Sequence, residues 1–352
     1  MAADSRKDLR VGLIGFGLGG ACFHAPLIAA TPGLTLATIV TANAERRAQA
    51  LRDYPGVQVV ADPEQLWQGD HDLVVISTPN RSHVPLALAA LSAGLPVVID
   101  KPFAPTAAEA RQVIAAARAK NLLVSAYHIR RWDSESLTLR NLMEQGLLGR
   151  VLRFESRLER WRPEPKGGWK ERGAPEEAGG MLYDIGSHLI DQALHLFGPV
   201  RDVYAELDIR RLGTETDDDV FVALTHANGV RSHLWTSSLA AQPGPRMRVM
   251  GDRAAFVKQH GDLQEPALRA GKRPGPNGWG EDPPENWGIL SDGIRQQAIK
   301  SVPGAYQNFY AGMVAALRDG APLPVDPDDA VTGLEIIAAA QRSSAERKIV
   351  SL

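Results

Sequence analysis

Between Gly179 and Asp191 the chain reads Gly-Gly-Met-Leu-Tyr-Asp-Ile-Gly-Ser-His-Leu-Ile-Asp. Asp184, His188, Asp191 and His195 recur at a helical interval on a background of Leu182, Ile185, Leu189, Ile190 and Leu194. An apolar helix that carries four ionisable groups in one stripe must pair them or use them, since each unpaired buried charge is costly. An imidazole that titrates near neutrality, one turn from a carboxylate, suits proton transfer. Asp and His at this spacing also suit a metal, but no Cys pair or Glu-x-x-His completes such a site, and none is expected. The bland alternative is that Asp184 and His188 pair only to satisfy a buried helix.

A second cluster lies near the start. The run Gly15-Phe16-Gly17-Leu18-Gly19-Gly20 follows an apolar strand and precedes a helical stretch. Gly15, Gly17 and Gly20 fit a dinucleotide fingerprint: a tight turn, backbone close to a pyrophosphate, and close packing of helix on strand. Phe16 and Leu18 complete the turn. At the end of the second strand, where an acid would hold a ribose 2′-hydroxyl, the chain has Thr41, Ala42 and Asn43, with Arg46 and Arg47 beyond. Donors without a carboxylate favour NADP over NAD. The alternative keeps NAD and leaves Arg46 and Arg47 as solvated helix residues. Further strand ends carry Thr78-Pro79-Asn80, then His83, and Asp100-Lys101-Pro102. Open α/β sheets place ligands at such carboxyl ends, so these residues are assigned to the cofactor crevice.

These clusters need a scaffold. Short β-rich runs at Arg10–Ile14, Leu34–Val40, Val57–Val60, Leu73–Ser77, Pro96–Ile99 and Leu122–Ala126 alternate with helical stretches at Ala44–Asp53, His83–Ala93 and Thr106–Lys120. That is the pattern of an α/β, doubly wound parallel sheet, a Rossmann domain over residues 1–126. Residues 127–352 read as an α+β domain with an open antiparallel sheet. Its strands are expected at Val151–Glu159, Val203–Arg210, Val220–Thr225, Val230–Leu239, Arg246–Met250 and Ala254–Lys258. Helices are expected at Ser134–Gln145, Tyr306–Arg318 and Pro327–Arg342. Gly271–Gly288, rich in Pro and Gly, reads as a long loop that covers the site, reaches a neighbouring subunit, or stays exposed.

The 352 residues suffice for two domains, and the hydrophobic 44% and charged 23% are ordinary for a globular protein. A net charge of -2 argues against nucleic acid or anionic membrane as the main partner. The single cysteine, Cys22, rules out an intrachain disulfide and fits a cytoplasmic setting. Arg6, Lys7 and Arg10 precede an apolar run that holds five glycines by Gly20. It reads as a first strand rather than a targeting segment. No stretch of about 18 apolar residues predicts a membrane span.

Gly15–Gly20, Thr78-Pro79-Asn80, Asp100-Lys101-Pro102 and the Asp184/His188 pair together resemble the family of glucose-fructose oxidoreductase, inositol dehydrogenase and rhizopine-catabolism proteins, over nearly the whole chain. Asp100 stands where the family usually has Glu. Tyr127–Asp133 and Ala267–Gly271 resemble the branch with NADP-dependent scyllo-inositol dehydrogenases. Ile129 replaces that branch's usual Asn, and Ala42-Asn43 a Ser-Arg pair. The resemblance implies reversible hydride transfer between a hydroxyl carbon of a sugar or cyclitol and a nicotinamide. It implies a homodimer or homotetramer built through the second sheet. It also implies roles: His188 as base, Lys101 as stabiliser of the alkoxide, and Asp184 orienting the substrate. Lys101 with a lowered pKa is the other candidate base. Arg130, Trp132, Arg160, Trp161 and Trp169 are candidate substrate contacts or packing residues, and Asp191 and His195 are read as structural. The rival functions are a non-catalytic NADP-binding sensor and a reductase of the same fold acting on a non-sugar ligand.

Overall fold

A computed structural model describes residues 7–352; Arg6, of the basic N-terminal group, lies outside the described residues. The first sheet has six parallel strands: β1 (Leu9–Ile14), β2 (Leu34–Val40), β3 (Gln58–Val60), β4 (Leu73–Ile76), β5 (Val97–Ile99) and β6 (Val124–Ala126). Their order is β3-β2-β1-β4-β5-β6, so the chain reverses direction across the sheet between β1 and β4. A crevice opens there, past the carboxyl ends of the strands. Every residue of β4 and β5 is buried, as expected of strands covered on both faces. The covering helices are α1 (Ala25–Ala30), α2 (Ala44–Asp53), α3 (Glu64–Trp67), α4 (His83–Ser92) and α5 (Ala107–Ala119). Thr106 caps α5, accepting from Glu109 N at 3.2 Å, while its own hydroxyl donates to Glu109 Oε2.

After α6 (Ser134–Glu144) the chain builds a nine-stranded sheet from β7 (Val151–Glu159), β8 (Val200–Asp208), β9 (Asp219–His226), β10 (Arg231–Ser237), β11 (Met247–Gly251), β12 (Ala255–Lys258), β13 (Gly288–Ser291), β14 (Gln296–Ile299) and β15 (Val350–Ser351). The order is β14-β13-β12-β11-β7-β10-β9-β8-β15. The expected antiparallel sheet is therefore corrected to a mixed one, because β7 pairs with β10 in parallel. The intervening α7 (Ser187–Phe197) is the crossover that a parallel pair requires. Strand β9 alternates buried and half-buried residues along its whole length. One face packs under α7 and α10 (Pro327–Glu346), and the other is less covered.

The expected loop 271–288 is real up to the turn at Pro284–Asn286, but two elements beside it were not foreseen. These are α8 (Gln264–Arg269) and the β13–β14 hairpin. Trp279 does not cover the cleft. Its indole donates to Gln264 and Gln307 at 3.1 Å, which ties the loop to α8 and to α9 (Gln307–Asp319). Among the described residues no helix is long and apolar enough to cross a membrane.

Candidate active site

β1 leads into a turn that only glycine can make. Gly15 has φ +97°, and a Cβ there would lie 2.2 Å from the Ser77 carbonyl oxygen. A Cβ on Gly19 would lie 2.4 Å from Ser77 Oγ, and one on Gly20 would lie 2.0 Å from the Gly15 carbonyl oxygen. Gly20 thus packs helix against strand, while Gly17, whose Cβ would meet only Arg46 at 3.8 Å, leaves its backbone open. The helix that follows begins as a π-helical turn, Gly19–His24, before α1. This strip of backbone borders a cleft of about 810 Å³ that runs between the two sheets' domains.

Phe16, Leu18, Thr41, Ala42 and Arg46 line the cleft at the glycine end, and Thr78, Pro79 and Asn80 line it past β4. The cradle fits a dinucleotide: bare backbone for a pyrophosphate, and hydroxyl and guanidinium donors beside the end of β2. Two assignments need correction. His83 is fully buried and does not reach the cleft; its ring nitrogens lie 2.9 and 3.0 Å from the carbonyls of Pro102 and Thr78. It braces the two strand ends. Asn43 is not in the lining and caps α2, its Oδ1 accepting from Arg46 N at 2.9 Å, so the side chain serves the helix start rather than the cofactor.

Asp100 is anchored rather than free. It accepts from Ser77 Oγ at 2.9 Å and from Lys101 N at 2.8 Å, and His24 Nε2 lies 3.4 Å away. Burial opposes its charge, but His24 and Lys101 hold its carboxyl well below the usual range. Lys101 reaches across the cleft. Its Nζ donates to Asp184 Oδ1 at 3.0 Å and to the Asp184 backbone carbonyl.

Asp184 sits in a second π-helical turn, Leu182–Gly186, which continues into α7. Asp217 starts that turn: its carboxylate accepts from Leu182 N at 2.6 Å and its carbonyl from Met181 N at 2.9 Å. Lys170, from the loop after β7, donates to Asp184 Oδ1 at 2.6 Å. Burial works against the Asp184 charge, yet the two lysines keep its carboxyl far below the usual range. One turn on, His188 lines the cleft, and its Nδ1 is buried with no hydrogen-bond partner among the described residues. Burial first, then Lys101 and Arg130, hold its pKa well below the ordinary imidazole value. Burial also lowers the pKa of Lys101, with Asp184 opposing.

The rest of the stripe is structural. Asp191 is buried against Arg131, whose Nη2 and Nε lie 2.6 and 3.0 Å from its oxygens. His195 stands 3.5 Å from Arg140 and does not line the cleft. Arg130 lines it, paired with Glu265 at 2.5 Å. Trp132 does not: it packs edge-on against Phe309 at 6.0 Å, so its assignment as a substrate contact is corrected to packing. Arg160 and Trp169 line the cleft, and Trp161 is exposed outside it. Lys170, Asp217 and Glu265 escaped sequence reasoning because they lie outside any periodic apolar pattern. Among the described residues no group of three or more His, Cys, Asp or Glu is arranged for a metal ion.

The same architecture recurs in known proteins. Residues 9–128 match a family model described as the NAD-binding Rossmann fold of an oxidoreductase family. Residues 140–352 match the C-terminal alpha/beta domain of that family. The chain is 35% identical to the NADP+-dependent scyllo-inositol 2-dehydrogenase IolW of Bacillus subtilis, over 98% of this chain and 96% of the relative. It is 39% identical to the oxidoreductase YdgJ of Escherichia coli, over 98% and 99%. Among solved structures, the yvaA oxidoreductase of Bacillus subtilis superposes with a TM-score of 0.93 at 35% identity, covering 98% of this chain and 99% of that one.

Proposed function

Because the chain belongs to the oxidoreductase family of glucose-fructose oxidoreductase, inositol dehydrogenase and rhizopine-catabolism proteins, we propose that it oxidises a CH–OH group of a sugar or cyclitol with NADP. The observation that carries this reading is the meeting of Lys101 from one domain with Asp184 and His188 from the other, beside the glycine turn. Gly15–Gly19, Thr41, Arg46 and Thr78–Asn80 would hold the cofactor. When bound there, a nicotinamide supplies a two-electron hydride acceptor or donor.

The chain's own residues handle the proton and the orientation. His188, neutral because its pKa is depressed, takes the hydroxyl proton as the C–H hydride leaves. Lys101 donates to the same oxygen and stabilises the charge that develops on it. Asp184, held by Lys101 and Lys170, accepts from a neighbouring substrate hydroxyl and fixes which carbon reacts. Reduction runs the same path backwards, with imidazolium as acid. The NADP preference is supported by the lack of a carboxylate among Thr41, Ala42 and Asn43, by Arg46 in the lining, and by the cofactor named for the Bacillus subtilis relative. Self-association through the less covered face of the second sheet, where the tilted rings of Phe221 and Trp235 lie 5.1 Å apart, is part of the same reading.

A panel of inositols and aldoses, offered with NAD and NADP in parallel and followed at the nicotinamide absorbance, tests it. The expected result is turnover of at least one cyclitol or aldose with a higher kcat/KM for NADP. A preference for NAD would remove the role given to Arg46. Tight NADPH binding without turnover of any polyol would favour the sensor.

A further inference from the structure

The cations of the substrate half of the cleft are unequally served. Lys101 and Lys170 share Asp184, and Arg130 and Arg269 share Glu265. Arg211, also in the lining, pairs with Asp218 at 3.0 Å and Glu171 at 3.2 Å. Arg160 has no side-chain hydrogen bond or ion pair to any described residue, although it lines the same cleft and is half-buried. Its backbone is fixed: its N–H donates to the Ser237 carbonyl at 2.9 Å and its carbonyl accepts from Ala240 N at 3.0 Å. The side chain therefore projects from a pinned strand end rather than from a loose loop.

A partly buried guanidinium without an anion is unfavourable, and a neutral polyol relieves it only weakly. Of the carboxylates on this side of the lining, Asp184 and Glu265 are already divided among four cations, Glu171 is taken by Arg211, Asp217 accepts from Leu182 N, and Glu164 is exposed to solvent. Burial first, then Arg162, lower the pKa of Arg160, and the fields of Asp184 and Glu265 oppose this without overcoming it. The planar fork of a guanidinium matches a carboxylate or phosphate through two parallel hydrogen bonds.

We propose that Arg160 anchors an anionic substituent of the substrate, so that the preferred substrates are sugars or cyclitols bearing a carboxylate or a phosphate rather than neutral ones. This rests on the dehydrogenase reading above and narrows its substrate class. Arg160 then acts as a specificity residue: it holds the far end of the substrate while Lys101, Asp184 and His188 attend to the reacting hydroxyl.

The test compares a hexose, the hexuronate that differs from it only at the terminal carbon, and the hexose 6-phosphate, with NADP and at fixed ionic strength. The wild type, R160K and R160Q are measured, and NADPH fluorescence titration verifies that each variant folds. The wild type should favour one of the two anions by about tenfold or more in kcat/KM, the value of a charge-assisted pair. R160Q should collapse that ratio towards one, mainly through KM for the anion, and R160K should keep part of it. The preferred anion identifies carboxylate or phosphate as the ligand. Turnover of the hexose with no anion preference, or a ratio that R160Q leaves intact, overturns this inference alone. Turnover of none of the three, and of no neutral cyclitol, overturns the dehydrogenase reading and this inference with it.

Discussion

The imidazole of His188 is buried beside Lys101, Arg130 and Lys170, so protonating it there would add a cation to a pocket already rich in them. Its folded-state pKa lies below the ordinary 6.5, and the sign of the pH dependence follows. As pH falls through 6.5 the unfolded chain takes up a proton that the folded one refuses, so His188 subtracts stability on the acid side. For the same reason His188 stays neutral, and competent as a base, at pH values where a free imidazole would be charged. The acid limb of kcat/KM for alcohol oxidation should therefore lie below 6.5. K101M removes one of the charges that depress it, and should move the limb upward as well as lower kcat. A pH–rate profile of the two proteins checks this; a limb that stays put in K101M would separate Lys101 from His188 electrostatically. Of these residues the sequence singled out Lys101 by its place at a strand end, and Asp184 and His188 by their helical spacing on an apolar background. It also promoted His83 and Trp132, since a His or Trp near a site looks the same in sequence whether it faces a cleft or a core.

Two π-helical turns, Gly19–His24 and Leu182–Gly186, border the cleft from its two sides. Neither was legible, because a four-residue spacing such as Asp184 to His188 reads as ordinary helix. The second turn depends on Asp217, whose carboxyl is pushed up to about 6 by burial, against the hydrogen bonds from Leu182 and neighbouring N–H groups. D217A leaves the Leu182 N–H without its acceptor and should cost about 1 kcal/mol of stability, the usual value of a lost cap. It should also depress kcat/KM, because Asp184 lies two residues beyond. D217N keeps an acceptor and should retain most of both; chemical denaturation and steady-state kinetics on the two variants separate capping from charge. Most strands matched expectation because buried β-branched runs such as Leu73–Ile76 have few other readings. The β13–β14 hairpin did not, since each strand has only four residues and β13 emerges directly from a Pro- and Gly-rich loop. Parallel pairing of β7 with β10 depends on a crossover that local pattern does not encode.

At the scale of the molecule, the site exists only because two domains are held in one register. The C-terminal helices return to the first domain: α9 packs on α1 and α10 on α5. Tyr310 of α9 lies 2.6 Å from His24 Nδ1, inside the glycine-turn helix, and Ser125 Oγ donates to the Val325 carbonyl at 2.7 Å. Asn80 donates to the Glu177 carbonyl at 2.7 Å, tying the end of β4 to the loop that precedes Asp184. These bonds set the reach of Lys101 across the cleft, a geometry that no local stretch of sequence contains. In the proposed reaction this cleft transfers a hydride with His188 as its base. This is tested most directly by the single-turnover rate of H188N with the best polyol of the panel, alongside NADPH affinity. The rate should fall by roughly a hundredfold to ten-thousandfold while NADPH still binds, the size of a lost general base. Wild-type turnover in H188N would rule out His188 as the base.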